Sequence, residues 1–464
     1  VVPLVREVQE PQVLKDENPG FLIFQWMRSQ RSRLFLLFFS SCIFYGWLIP
    51  KYLLVLFTLI LIDYWAGIKI EESGSLSSRK RWLQASLAGN LGILGFFKYF
   101  NFFTFNLKEI SNALGWNLPI PILEIALPIG LSFHTFQSLA YVIEIHRGRF
   151  RAERNLLRYS VYVLYFPQMV AGPIERPQNI LPQLKEHSTF DPEKAITGLF
   201  LLLQGLFKKC VVADSLAPLA NRIFDHPDEF GLLGVFLGTV SFAFQIYCDF
   251  SGYSDMARGI SRLFGIELMV NFDRPYLSKS VSEFWRRWHI SLSTWFRDYM
   301  FIPLGGSRCS PIRKNLNLMA VFLVSGLWHG ANWTFVVWGG VHGTSLILEK
   351  FIPSYFRRLW VLPVVFLGWV FFRAQTLTSA FDVLSGYFRA PMMGLSGLPT
   401  FQIVESVGSI MMVSIMELAE TRNPFWSGVR KQRPLLRWSI YYLLMFLFFF
   451  TARFTGEPFL YFQF

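Results

Sequence analysis

Runs of apolar residues close to the length of a membrane span alternate with short polar, mostly basic stretches along most of this chain. A helix rises about 1.5 Å per residue, so about 20 apolar residues cross a hydrocarbon layer of about 30 Å. The first run is 34-LFLLFFSSCIFYGWLI-49; Pro50 and Lys51 then turn the chain, and 52-YLLVLFTLILIDYWAGI-68 runs back. Further runs at 83–100, 123–145, 194–212, 231–249, 315–330, 332–350, 359–373, 402–418 and 437–453 bring the expected count to about eleven. The pattern predicts an all-α fold, a polytopic transmembrane helix bundle over residues 31–464, preceded by a polar segment at 1–30. That segment does not begin with Met and shows no charged-then-apolar leader, so a processed or truncated start is expected.

Two stretches break the pattern. Residues 155–180 and 250–312 mix Trp, Phe and Tyr with Arg, Asp, Ser and Gly, and neither is apolar enough to face lipid on all sides. Such segments lie in the interface or re-enter the membrane buried against protein, where irregular backbone is tolerated. Residues 375–400, with Gly and Pro, read as a surface loop or short interfacial helix.

Composition agrees with a membrane setting. Of 464 residues, 53% are hydrophobic and only 16% charged, and Phe alone occurs 50 times. A soluble chain with mean hydropathy of +0.37 would lack the polar surface to cover its core. The net charge of +13 does not point to nucleic acid, because the basic residues sit in short clusters between apolar runs. Arg28, Arg31 and Arg33, then 78-SRKR-81, then 147-RGRFRAER-154 all fall on one side of the expected topology, which places that side in the cytoplasm. Cys42, Cys210, Cys248 and Cys309 are scattered without a CxxC pair, and reduced buried thiols are expected. No internal repeat supports an inverted-repeat transporter.

Histidine carries the candidate chemistry. His187 and His226 lie in polar loops and His146 ends a span, whereas His134, His289, His329 and His342 fall in apolar or amphipathic segments. An ionisable group at membrane depth is costly and marks a site by default, although a neutral His bonded to a neighbouring helix fits His134 and His342 equally well. His329 lies in 325-SGLWHGANWTFVVWGGVHG-343, between Gly326 and Gly330, with Asn332 following and Trp328 and Trp333 able to wall a pocket. His289 lies in 283-EFWRRWHISLSTWFRDYMFIPLGG-306. If that stretch is helical, Trp285 and Ser293 share its face at i−4 and i+4, with Arg286 at i−3. An interfacial helix accounts for the aromatic and basic residues there, but less well for the His, the serines and Asp298. In 245-QIYCDFSGYSDMARG-259, Asp249 and Asp255 flank Tyr253 and Gly252 at the expected mouth of a span. Their separation with no His nearby is weak for a metal, so no metal site is expected, and helix capping is at least as good a reading. No P-loop, GxSxG, HExxH or dinucleotide fingerprint occurs.

These residues carry a resemblance. The run DFSGYSD at 249–255, then 271–306 ending in IPLGG, then 327-LWHGANWTFVVWG-339, with 167-PQMVAGPIERP-177, 371-FFRAQTL-377 and 458-PFLYFQF-464, resembles the membrane-bound O-acyltransferase family, most closely its bacterial alginate O-acetyltransferase branch. The resemblance implies a multi-pass protein of the bacterial inner membrane with an intramembrane tunnel, His329 and His289 as its functional histidines, and Trp328, Asn332, Trp285, Arg287, Ser293, Asp298, Asp249 and Tyr253 along the tunnel. It further implies acetyl-CoA as donor, no tightly bound cofactor, and as partner an extracytoplasmic acetyltransferase or a polysaccharide acceptor. Chemistry is compatible. His329 can act as general base, and His289, Asn332 or a backbone amide can stabilise the oxyanion. Lys279, Arg286 and Arg287 can meet the phosphates of coenzyme A, though basic cytoplasmic loops explain them without a ligand. Two other readings stand: a D-alanyl transferase for teichoic acids using a carrier-protein thioester, and a proton-coupled transporter.

Overall fold

In a computed structural model of the chain, residues 29–123, 126–186, 191–422, 428–429, 432–453 and 459–460 are described. The polar segment expected at 1–30 therefore lies almost wholly outside the described residues, as do His187 and most of 458–464. Among the described residues every regular element is helical. In chain order these are α1 (Gln30–Leu48), α2 (Leu53–Glu72), α3 (Leu76–Leu94), α4 (Phe100–Ala113), α5 (Leu131–His146), α6 (Leu156–Leu164) and α7 (Pro177–Gln183). There follow α8 (Pro192–Leu206), α9 (Asp214–Asp225), α10 (Leu232–Leu263), α11 (Val281–Arg287), α12 (Ile290–Phe296), α13 (Pro311–His329) and α14 (Trp333–Glu349). The last are α15 (Ser354–Arg373), α16 (Leu377–Gly386), α17 (Thr400–Arg422) and α18 (Pro434–Thr451).

The helices start where the sequence supplies a cap. Ser75, Asn155, Asp191, Ser280, Ser310, Asn332 and Thr376 each accept a backbone N–H of the first turn. Proline, which has no N–H to strand, stands in the first turn of α7, α8, α13 and α18. Three π-helical segments interrupt longer rods: Gly95–Tyr99 joins α3 to α4, Phe207–Ala213 joins α8 to α9, and Arg297–Phe301 follows α12.

Against the eleven expected spans, five helices among the described residues are long and apolar enough to cross a membrane by length and composition. Several others owe their polarity to protein neighbours. In α5 fourteen residues are buried, including Ser132, His134, Thr135, Gln137 and Ser138. Within the expected span at 123–145 the described helix starts at Leu131, after Pro128, which has no N–H to offer a helix interior. The span expected at 231–249 continues to Leu263, so Asp249 and Asp255 sit inside a helix and cap nothing.

Glycines let the central helices touch. A Cβ on Gly205 of α8 would stand 2.4 Å from the Gly252 carbonyl of α10, and one on Gly259 would stand 2.5 Å from the Gly198 carbonyl. Where lipid offers no hydrophobic drive between helices, such backbone contact is what holds them. The charged residues along this seam are paired: Lys208 with Asp255 at 2.7 Å, and Lys209 with Asp214 at 2.9 Å and Asp249 at 2.8 Å. Gly205→Val is expected to destabilise the detergent-solubilised protein by about 1–3 kcal/mol. Gly92→Ala, where a methyl meets nothing within 4 Å, should leave the melting temperature unchanged or raised. Equal melting temperatures for the two variants would remove the seam as a source of stability.

Candidate active site

The chain breaks at His289. The stretch 281–296 is two short helices, α11 and α12, with Trp288 extended and His289 at φ 42°, ψ 54°. A non-glycine residue in this left-handed region is uncommon and is held there by its surroundings. Asn271 does the holding. Its carbonyl accepts Ile290 N–H at 2.8 Å. Its side-chain Oδ1 accepts Ser291 N–H at 3.1 Å and Ser291 Oγ–H at 2.8 Å, and lies 3.3 Å from His289 Nδ1. Alongside, Asp273 N–H donates to the Arg287 carbonyl at 2.9 Å. The face expected for one continuous helix does not form. Ser293 Oγ–H turns back to the Trp288 carbonyl at 3.2 Å, and Trp285 points elsewhere, against His342, Trp338 and Phe322.

His329 is the last residue of α13, and Gly330 leaves the helix extended. A Cβ on Gly326 would stand 2.1 Å from the Phe335 carbonyl, so α13 and α14 meet backbone to backbone beside the histidine. The terminal carbonyls of α13 are taken by the Gly95–Tyr99 segment: Lys98 Nζ donates to Trp328 O at 2.5 Å and His329 O at 2.9 Å, and Tyr99 OH donates to Leu327 O at 2.8 Å.

The two imidazoles, far apart in sequence, come together with ring centroids 6.4 Å apart. Both residues are buried, with His289 at 0% and His329 at 5% exposure. Phe250 stands edge-on to His289 at 4.7 Å; Trp328, Trp338 and Phe372 surround His329 at 5.0, 5.0 and 5.3 Å. Trp328 itself stacks on Phe136 at 5.3 Å. At the His329 end a cleft of about 320 Å³ opens, lined by Gly330, Asn332, Phe335, Phe372, Arg373 and Gln375 among others. It lies at the opposite end of α13 from Arg308, Arg313 and Lys314.

The remaining expected residues divide. Trp328 walls the histidine pair. Asn332 lines the cleft, but its Oδ1 accepts Thr334 N–H at 3.1 Å and its Nδ2–H donates to Gln375 O at 2.8 Å, so both ends are engaged in scaffold. Tyr253 packs on Phe459 at 5.5 Å, one turn beyond Phe250. Asp249 accepts the Leu460 N–H at 2.8 Å as well as pairing with Lys209, and so holds Leu460 against α10. Arg287 spends its charge on Glu283 at 2.8 Å and Asp273 at 3.8 Å. Asp298 joins Arg297 at 2.8 Å and Arg176 at 3.7 Å in a partly exposed charged patch apart from the histidines. His134 is buried in α5, its Nδ1 2.9 Å from Val163 O, while its Nε2 has no hydrogen-bond partner among the described residues. Among the described residues no group of His, Cys, Asp and Glu gathers as a metal site, and the four cysteines are free. Sequence reasoning missed Asn271 and Lys98. The first was visible only as a polar residue opening the run at 271, the second only as a lysine inside an apolar span.

In the 167–177 segment Glu175 is buried outside the helices long and apolar enough to span a membrane, against Asn179 and Met269. Its carboxylate accepts Met269 N–H and Asn179 Nδ2–H, both at 2.5–2.7 Å. Burial nevertheless pushes its carboxyl up from 4.5 to about 7. A carboxyl raised in the fold binds its proton more tightly there than in the unfolded chain. It therefore favours the fold below about 4.5, and that contribution is lost as pH rises through about 7. Glu175→Gln, which cannot ionise, should flatten this fall in a melting-temperature profile; an unchanged slope would show that Glu175 does not titrate there.

Comparison with known proteins bears on these residues. Residues 148–381 match the family model described as MBOAT, membrane-bound O-acyltransferase family. The "Probable alginate O-acetylase AlgI" of Azotobacter vinelandii is 38% identical, covering 86% of this chain and 82% of the relative. The "Peptidoglycan O-acetyltransferase" of Helicobacter pylori is 36% identical, covering 77% and 73%. The "Teichoic acid D-alanyltransferase" of Streptococcus thermophilus is 29% identical over 56% of this chain and 69% of its own length.

Proposed function

This chain belongs to the membrane-bound O-acyltransferase family, a multi-pass membrane fold, and on the premise that it is an O-acyltransferase we propose which group it moves and where. It carries acetyl from cytoplasmic acetyl-CoA across the bacterial inner membrane, for O-acetylation of an extracytoplasmic polysaccharide of alginate type, directly or through an extracytoplasmic acetyltransferase. No tightly bound cofactor takes part. The observation that carries the reading is the His289–His329 pair, ring centroids 6.4 Å apart in an aromatic cage, beside a cleft at the end of α13 opposite Arg313 and Lys314.

The chemistry follows from that placement. The donor is a thioester and the acceptor a hydroxyl, which at neutral pH needs a base to attack. His329, neighbour to the cleft, takes the hydroxyl proton as the new C–O bond forms. The C–S bond then breaks, and the same imidazole returns the proton to the departing thiolate. His289, oriented by Asn271, faces the carbonyl oxygen on which negative charge develops. Trp328, Trp338, Phe372 and Phe250 exclude water, which would otherwise hydrolyse the thioester. The lower identity and coverage of the D-alanyl transferase favour acetyl over D-alanyl as the group carried.

Inverted membrane vesicles containing the protein and its acceptor, given radiolabelled acetyl-CoA, should accumulate label in luminal polysaccharide or protein. His329→Ala should lower that transfer at least about a hundredfold. Near-normal transfer by the folded variant would overturn the role of His329; label that appears only with a carrier-protein thioester would overturn the donor. Asn271→Ala, which removes the side chain that orients His289, should cut turnover about tenfold or more while His289→Ala in the same background adds little further loss. Fully additive losses would mean that Asn271 acts elsewhere.

A further inference from the structure

We propose that Lys98 is a positioning residue for acyl transfer, a cation supplied from a different helix to cancel the negative end of α13 where it abuts the reacting histidines. The inference rests on the reading above in one respect, that His329 is where the acyl group reacts.

A helix ends with four carbonyls that lack an intrahelical donor, and the partial negative charge of the macrodipole gathers there. In α13 this end falls on the candidate base itself. Acyl transfer builds negative charge on the carbonyl oxygen in the same place, so the bare end of α13 opposes the transition state. The Gly95–Tyr99 segment meets this in two ways. Its π-helical turn carries Lys98 and Tyr99, adjacent in sequence, to adjacent carbonyls of one helix end: Trp328 and His329 for Lys98, and Leu327 for Tyr99. Such π turns inside longer helices recur at functional sites. Lys98 Nζ also lies 5.8 Å from the centre of the Trp328 ring, the wall of the histidine pair.

Capping alone does not call for a lysine. A neutral amide would donate to the same carbonyls without the cost of a cation at membrane depth. What lysine adds is charge. Lys98 brings its ammonium group to within 2.9 Å of the His329 carbonyl, at the residue proposed to react.

Charge and capping separate in a series of variants. Lys98→Arg keeps both, Lys98→Gln keeps donors without charge, and Lys98→Met keeps neither. Acetyl transfer from acetyl-CoA is measured for each, with the melting temperature as control for folding. Lys98→Arg should retain turnover within about threefold, whereas Lys98→Gln and Lys98→Met should lose about tenfold or more in kcat with little change in KM for acetyl-CoA. A purely structural cap predicts the reverse order, with Lys98→Gln active and the larger Arg impaired. Lys98→Gln at wild-type kcat, or Lys98→Arg as inactive as Lys98→Met in folded protein, would overturn the proposal. If the wild type itself transfers nothing from acetyl-CoA, the donor reading has failed, and Lys98 is judged by the rate at which diethyl pyrocarbonate modifies His329, read by mass spectrometry. That rate should differ between wild type and Lys98→Gln but not Lys98→Arg; identical rates in all three would overturn the role of Lys98.

Discussion

No bulk water reaches a helix that ends inside a membrane, so every polar group there has to find its partner in the protein. That requirement shapes the region around the two histidines more than any single contact. The chain interrupts α11–α12 and stops α13 among buried residues, which leaves carbonyls and N–H groups to be satisfied from within the protein. Each interruption is matched by one or two polar residues from another segment. Asn271 serves the break at His289, Lys98 and Tyr99 serve the end of α13, and Glu349 accepts the Val281 and Ser282 N–H groups at the start of α11.

The same residues that satisfy the backbone also aim the imidazoles. His289 is held in a left-handed conformation by hydrogen bonds to Asn271, and His329 sits at a helix end fixed by its contact with α14 and by Lys98. Positions determined by hydrogen bonds and backbone contact vary little, which is what a reaction needs when its groups must meet within fractions of an ångström. Aromatic rings fill the remaining space and keep the site dry, so the few polar groups inside act at full strength.

Away from the site, the charges buried between α8, α9 and α10 follow the same logic. Lys208 and Lys209 answer Asp255, Asp214 and Asp249, and Asp249 keeps an oxygen for the Leu460 N–H. The C-terminal residues Phe459 and Leu460 are thereby fastened against Phe250 and Tyr253, behind His289. Asp249 of the DFSGYSD run thus holds Leu460 in place, while Asp255 is paired with Lys208.

The apolar runs, the basic loops and the two broken amphipathic stretches were legible in the sequence because they reflect the solvent, and a bilayer sorts residues by polarity along the chain. His329 and His289 were legible for the same reason, as ionisable groups where few belong. The limits of the helices were not. Asp249 and Asp255 looked like the mouth of a span, yet α10 runs past both, since lysines on a neighbouring helix make their charge tolerable. Trp285 and Ser293 looked like companions of His289 on one helical face, and the backbone hydrogen bonds of Asn271 break that face. Local periodicity carries no record of a partner many residues away. What the sequence by itself determined was the medium, the helical class and the residues with chemistry to offer. Only the tertiary structure decided which of them meet, because a polar group removed from water takes its conformation from whichever distant donor or acceptor packs against it.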